Sequence, residues 1–256
     1  MVAAIIQARL TSSRLPGKVM LKINGRTILS YMLERVKAAR TVDKIVVATS
    51  DWKEDDAIVD ECRREGVEVF RGDMDDVLGR YYGAAKSCGA DVIARMTADC
   101  PLIDPAVIDR IIGLFLDGGY DFVANTAPPD GHTYPKGMDI EVFSFRLLET
   151  TWRETVKPSD REHVTFFMWQ NPDRFRIFRD ELDCDLTAYR LVLDYPEDME
   201  LTRKVIENVY VANKDYSMWD LIAYLDEHPE IKDINTNIIK NQGWQTAFDK
   251  DKQQGF

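Results

Sequence analysis

The chain is poor in the residues that would tie it to a metal-thiolate, secreted or membrane-spanning class. Its 256 residues hold four cysteines, Cys62, Cys88, Cys100 and Cys184, with no C-x-x-C pair and no histidine at metal-ligand spacing nearby. That excludes a zinc ribbon or a disulfide scaffold and predicts four reduced thiols. Long apolar runs are missing too. The stretch Val2 to Ile6 is too short for a signal peptide and has no basic region before it. Nothing approaches the roughly 18 apolar residues of a membrane span. The expectation is a cytoplasmic protein with no membrane partner. Positive charge is in deficit, with 33 Lys and Arg against 44 Asp and Glu and a formal net charge of −11. This argues against a nucleic-acid partner, because such proteins present a basic surface to phosphates. The length suits one sizeable domain, and a hydrophobic content of 45% suits a full core.

Against that acidic background, cations on one loop are informative. The stretch "IIQARLTSSRLPGKVM" (5–20) puts Arg9, Arg14 and Lys18 on a Pro- and Gly-containing loop where a strand hands over to a helix, without a glycine-rich phosphate motif. Arg and Lys there add charge-assisted bonds to backbone N–H groups at a strand end, a combination suited to phosphate oxygens. Pro16 and Gly17 fix a turn that aims Lys18 back at the strand ends. A small anionic ligand, a polyphosphate, is the expected occupant.

Periodicity predicts alternating elements in the first half: strands at 2–8, 44–50, 67–72, 91–96 and 121–125, and helices at 27–39, 53–66, 75–89 and 105–119. On the first helix Ile28, Leu29, Met32, Leu33 and Val36 share one face. Such alternation specifies an α/β fold with a mostly parallel sheet covered by helices on both faces. From 126 the pattern breaks into a turn-rich loop, a strand at 138–145, helices near 146–156 and 160–170, and strands at 174–180 and 189–194. We read 126–188 as an inserted lid or dimer arm within a single domain of residues 1–240. Helices at 197–210 and 218–228 close that domain, and 241–256 reads as a loose tail.

In parallel sheets ligands bind beyond the carboxyl ends of strands, and two carboxylates fall there. Asp99 follows the strand ending "ARMT", while Asp104, just before Pro105, is the better helix N-cap and leaves Asp99 for another task. Asp194 ends "YRLVL" ahead of Pro196, and Glu197 and Asp198 open a helix where anions suit the dipole. Facing a cationic loop, Asp99 and Asp194 form a plausible octahedral magnesium site completed by water and substrate oxygens. Among the histidines, His228 reads as structural, His132 lies in a loop, and His163 in "SDREHV" is a candidate for touching a second substrate or for a surface role.

The blocks "IIQARLTSSRLPGKVML", "GDMDDVLGRYYGAA", "RMTADCPLIDP", "PKGMDIEVFS", "REHVT" and "RLVLDYPEDM" together resemble the cytidylyltransferases that activate sugar acids, in particular their SpsF-like branch. The likeness covers about residues 2 to 225. It implies the nucleotide-diphospho-sugar transferase fold, a three-layer α/β/α sandwich of GT-A type with a protruding dimer arm, and a homodimer. By the same resemblance Arg9, Arg14 and Lys18 hold the triphosphate of CTP, Ala8 and its neighbouring backbone help select the base, and Arg80 belongs to the nucleotide pocket. Asp99 and Asp194 match the family's magnesium ligands. Gly137, Asp139, Glu141, Arg161, Glu162 and His163 correspond to the acceptor-sugar region. "TADCP" departs from the "GD-E-P" form of the octulosonate enzymes, so the acceptor stays open.

The expected reaction is CMP transfer from CTP to an acidic sugar with pyrophosphate release, in cell-surface or spore-coat polysaccharide biosynthesis. Catalysis would rest on Arg14, Lys18, Asp99 and Asp194. Two alternatives share much of this pattern: a nucleotidyltransferase acting on a sugar phosphate or phosphonate, and a GT-A glycosyltransferase using a nucleotide sugar. The second usually carries D-x-D after a strand, and here "DCD" (183–185) sits in a late loop.

Overall fold

Two-sided burial of the first strand, β1 (Val2–Gln7), organises the molecule, whose computed structural model describes residues 1–238, 247 and 251–253. Val2, Ala4 and Ile6 enter one core cluster and Ala3 and Ile5 the other, on the opposite face. A strand apolar on both sides must be covered on both sides. β4 (Lys44–Ser50) and β6 (Val92–Thr97) flank β1 in parallel, and β5 (Glu68–Gly72) lies parallel outside β4. β8 (Glu141–Ser144) pairs antiparallel with β6 and with β7 (Phe122–Ala124), and β9 (Ile177–Arg179) runs parallel at the far edge. The seven-stranded order is β5-β4-β1-β6-β8-β7-β9. Between β1 and the first helix a small hairpin joins β2 (Lys22–Ile23) to β3 (Arg26–Thr27).

Helices α1 (Ile28–Lys37), α2 (Asp56–Arg64), α4 (Pro105–Gly118), α8 (Pro196–Val205) and α9 (Met218–Glu227) cover one face. α3 (Val77–Cys88), α5 (Phe145–Glu154) and α7 (Phe166–Trp169) cover the other. The result is the expected mostly parallel α/β/α sandwich. Side-chain caps set the helix starts: Thr27 accepts from Ser30 N at 3.0 Å, Asp76 from Gly79 N at 2.9 Å, Asp104 from Ala106 N at 2.8 Å, and Ser144 from Leu147 N at 3.1 Å. Each such cap contributes about 1 kcal/mol. Asp104 with Pro105 at the first helical position is the N-cap that the sequence indicated.

Four expectations change beyond residue 126. The segment 189–194 is not a strand of the sheet. Its backbone bonds instead go to two loops, from Lys136 N to Tyr189 O, Leu191 N to Lys136 O and Leu193 N to Asp99 O. Periodicity detects extended, alternately buried chain and is blind to whether the partner is a strand or a loop. The helix expected at 160–170 is split into α6 (Pro158–His163) and α7, because Val164 takes φ 67° between them. The strand expected at 174–180 shortens to β9. Part of the segment read as an insertion lies in the sandwich itself, since β8 is an internal strand and α5 and α7 pack on the sheet. The tail read as loose lies outside the described residues except for 247 and 251–253, of which Ala247 and Asp251 are buried. No described helix is long and apolar enough to cross a membrane.

Gly137 shows how tightly the 136–139 turn is held against residue 191. Its φ is 104°, and a Cβ built there would stand 2.5 Å from the Leu191 carbonyl carbon. Gly137→Ala therefore combines left-handed strain with a backbone clash and should lower unfolding free energy by about 2–4 kcal/mol. Urea unfolding measures this. An unchanged midpoint would mean that the turn is not pinned as described.

Candidate active site

The opening loop leaves β1 at a fixed angle because three backbone links clamp it. Ala8 N donates to Ala48 O at 3.1 Å, Ala98 N to Gln7 O at 3.0 Å, and Gly17 N to Leu10 O at 3.0 Å. Asp55, fully buried, anchors it from α2's start: one carboxylate oxygen accepts Leu10 N at 2.8 Å and the other takes Ser50 N and the Thr49 and Ser50 hydroxyls. Gly17 turns the chain in a left-handed conformation (φ 68°), and Lys18 begins a single 3-10 turn with its side chain only 11% exposed. Proline and glycine thus aim Lys18 inward, as the sequence suggested.

Lys18 Nζ lies 2.6 Å from Asp99 Oδ2 and 2.7 Å from Asp194 Oδ1. The two aspartates, 95 residues apart in sequence, meet because β6 delivers Asp99 beside β1 and the Leu193 N to Asp99 O bond brings the 190–195 segment alongside at 2.8 Å. Asp99 also accepts the Thr97 hydroxyl. Asp194 accepts Arg14 at 2.8 Å and lies 3.5 Å from Arg190. Buried Asp198 fixes the end of this extended segment, accepting Asp194 N at 2.8 Å, Tyr195 N at 3.0 Å and Arg190 Nε at 2.8 Å. Burial pushes the Lys18 ammonium toward losing its proton, but Asp99 and Asp194 outweigh it and hold its pKa above the ordinary value. Burial alone would raise Asp194, yet Lys18 and Arg14 hold it well below the usual carboxylate range. In such a cluster, deleting one partner of a half-buried pair is destabilising because the other charge is stranded.

These groups line one open cleft of about 600 Å³ at the carboxyl ends of β1 and β6. Ala8, Arg9, Arg14, Lys18, Arg80, Asp99 and Asp194 all border it. Arg9 is exposed, while Arg80 is 2% exposed and donates to the carbonyls of Asp73 and Met74. Asp99 and Asp194 offer hard oxygen donors converging on one point, a fit to magnesium rather than to a softer metal. Among the described residues, no group of three His, Cys, Asp or Glu converges on a metal position. Water and substrate oxygens would have to complete the coordination.

The cleft is also lined by Asp139, Glu141, Glu162 and His163, with Thr126, Lys136 and Arg95. Asp139 is saturated by Thr126 at 3.0 Å, Lys136 at 3.0 Å and Gly137 N at 2.6 Å. Glu141 accepts Arg95 and, at 2.8 Å, the Thr165 hydroxyl. His163 stacks on Phe166 with centroids 4.4 Å apart. Gly137 and Arg161 do not border the cleft: Gly137 shapes the turn, and Arg161 lies 3.4 Å from Asp76. His132 and His228 bond to backbone carbonyls of Tyr134 and Tyr224.

Sequence reasoning missed Gln7, Arg95, Lys136 and Arg190 on the cleft wall. β6 alternation could have placed Arg95 beside the strand end, and the Lys136–Arg190 bridge has no sequence signal. It also missed Ala247, which borders the cleft, and Asp251, which accepts Ser159 N at 3.0 Å on α6. Asp183 and Asp185 of "DCD" are exposed and outside the cleft, so the glycosyltransferase alternative loses its metal motif.

A sequence profile of the family described as Cytidylyltransferase matches residues 3–219. The solved structure of a cytidylyltransferase from Leptospira borgpetersenii is 38% identical and covers 93% of this chain and 98% of its own, with a TM-score of 0.86. The spore coat polysaccharide biosynthesis protein SpsF of Bacillus subtilis is 32% identical over 88% of this chain and 94% of its own. A CMP:2-keto-3-deoxy-manno-octonic acid synthetase solved with CTP shares the fold at TM-score 0.60 and 19% identity, over 80% of this chain and 98% of that one.

The saturated Asp139 carries a pH signature. Burial raises its pKa, but Lys136 and the Gly137 N–H bring it below the ordinary value. A lowered folded-state pKa gives stability that is complete above the unfolded value, about 3.9, and is lost as pH falls through the folded one. The difference in unfolding free energy between the protein and Asp139→Asn should stay flat from about pH 8 to 5 and shrink below about pH 4. Thermal melts across that range check it. Shrinkage between pH 7 and 5 would contradict the environment described for Asp139.

Proposed function

The chain belongs to the cytidylyltransferase family and is a nucleotidyltransferase, and on that premise we propose that it transfers CMP from CTP to an acidic sugar of the ulosonic-acid type. The observation that carries this reading is the convergence of Arg9, Arg14 and Lys18 with Asp99 and Asp194 in one cleft. SpsF of B. subtilis is named for spore-coat polysaccharide synthesis, and we assign this chain to cell-surface or spore-coat polysaccharide biosynthesis. We place it in the cytoplasm, where CTP is made, as a homodimer built through part of residues 126–188.

In the proposed reaction a sugar hydroxyl oxygen attacks the α-phosphorus of CTP. A new P–O bond forms, the bond to the β-phosphate bridge breaks, pyrophosphate leaves and the hydroxyl proton is released. In-line displacement of this kind needs positioning and charge neutralisation more than covalent help. Arg9, exposed on the cleft wall, orients the triphosphate. Arg14 and Lys18 stabilise the charge that builds on pyrophosphate. Ala8 and Arg80 border the part of the cleft that takes the base. Asp99 and Asp194 would hold Mg²⁺, which when bound neutralises phosphate charge and activates the attacking oxygen. Lys136, Arg95 and His163 would meet the acceptor sugar, with Asp139, Glu141 and Glu162 beside them and the two cations paired to Asp139 and Glu141.

The test is pyrophosphate release with Mg²⁺, each of the four NTPs, and a panel of ulosonic acids, sugar phosphates and phosphonates. Release that needs CTP and a sugar acid is the expected result. Release with a sugar phosphate only would move the protein to the alternative acceptor class. Asp99→Asn should lower turnover by roughly 10³-fold or more while keeping the native circular-dichroism spectrum, on the scale of losing a directly acting electrostatic group. Near-normal turnover would remove Asp99 from the metal site.

A further inference from the structure

Lys18 occupies the point at which the two candidate metal ligands converge. Its ammonium is 2.6 Å from Asp99 Oδ2 and 2.7 Å from Asp194 Oδ1. A divalent ion bound by the same two oxygens at about 2.1 Å would lie against that ammonium, a placement that charge and size both oppose. Site and side chain are mutually exclusive occupants.

The surrounding charge points the same way. Arg14, Lys18 and Arg190 face Asp99, Asp194 and Asp198, three cations against three carboxylates in one bonded cluster. Adding a divalent ion leaves that cluster with two uncompensated positive charges. Only two carboxylates converge on the position, with no third His, Cys, Asp or Glu among the described residues. An octahedral ion there lacks most of its ligands and its charge balance. A triphosphate supplies both at once, with oxygens for the metal and anionic partners for Lys18 and Arg14. The lysine stem is flexible enough to move its ammonium without moving the loop.

We propose that Lys18 is a built-in substitute for the metal: it holds Asp99 and Asp194 together in the nucleotide-free protein and yields their oxygens only when a triphosphate takes its ammonium. This rests on the reading of Asp99 and Asp194 as metal ligands. Metal and nucleotide then bind with positive coupling, each raising the affinity for the other by the same factor. Free divalent ion alone gains little hold on the protein. The arrangement keeps the carboxylates poised and keeps a bare metal from filling the cleft before the nucleotide does.

The experiment is Mn²⁺ titration of the nucleotide-free protein, following free Mn²⁺ by electron paramagnetic resonance, in the wild type, Lys18→Met, Lys18→Gln and the double variant Lys18→Met, Asp99→Asn. The wild type should show no saturable binding below ~1 mM, whereas both Lys18 variants should bind at least roughly 10-fold more tightly, within the ordinary range of coupling. Mn²⁺ should also raise the melting temperature of Lys18→Met more than that of the wild type, a readout that survives if the variant is less stable. Tight Mn²⁺ binding by the nucleotide-free wild type, or no gain in either Lys18 variant, overturns the proposal while leaving Asp99 as a ligand of the CTP-bound state. A gain that persists in the double variant overturns the metal assignment itself, and the proposal with it.

Discussion

A single ammonium group bridges the parts of the chain that make the site. Lys18 comes from the loop after β1, Asp99 from the turn after β6, and Asp194 from the extended segment before α8; without that bridge two half-buried carboxylates would face each other. Like charges so placed repel each other. The local architecture serves the bridge. β1 and β6 pair in register from Val2 with Val92 to Gln7 with Thr97, so their carboxyl ends finish level. Asp55 and Asp198, both buried, hold the first loop and the third segment through backbone N–H groups. Each is a carboxylate used structurally so that another can be used chemically.

The cluster also explains how an acidic protein receives a polyanion. The net charge of −11 is a property of the whole chain, whereas the cleft sees Arg9 exposed on its wall and Arg14 and Lys18 already paired. Pairing holds these cations in the cleft of the nucleotide-free protein. Two further cations of the cleft are held by the same means, Arg95 against Glu141 and Lys136 against Asp139.

Much of this was legible in the sequence because its signals are local. Period-2 and period-3.6 patterns placed nearly every element of the first half, since β1, β4 and β6 are apolar on both faces and their helices on one. Pro16 and Gly17 marked the turn that aims Lys18, and Asp104 before Pro105 marked a cap, which left Asp99 for the site. The rest failed where the information is not local. Residues 189–194 look like a strand because they are a short apolar run of extended chain, but their hydrogen-bond partners are the 136 turn and Asp99. Val164 carries no helix-breaking signature, and its left-handed backbone is imposed by packing at zero exposure and by Thr165 reaching Glu141. Asp251 bonding to Ser159 joins residues 92 apart, and no spacing rule anticipates it.

The most direct measurement of the central claim is anomalous diffraction from crystals soaked in Mn²⁺ alone and in Mn²⁺ with CTP. The account predicts no anomalous peak between Asp99 and Asp194 with Mn²⁺ alone, Lys18 remaining there. With CTP it predicts a peak at that position and the Lys18 ammonium moved onto a phosphate. A peak between the aspartates without nucleotide, or CTP bound with Lys18 still bridging them, would contradict it.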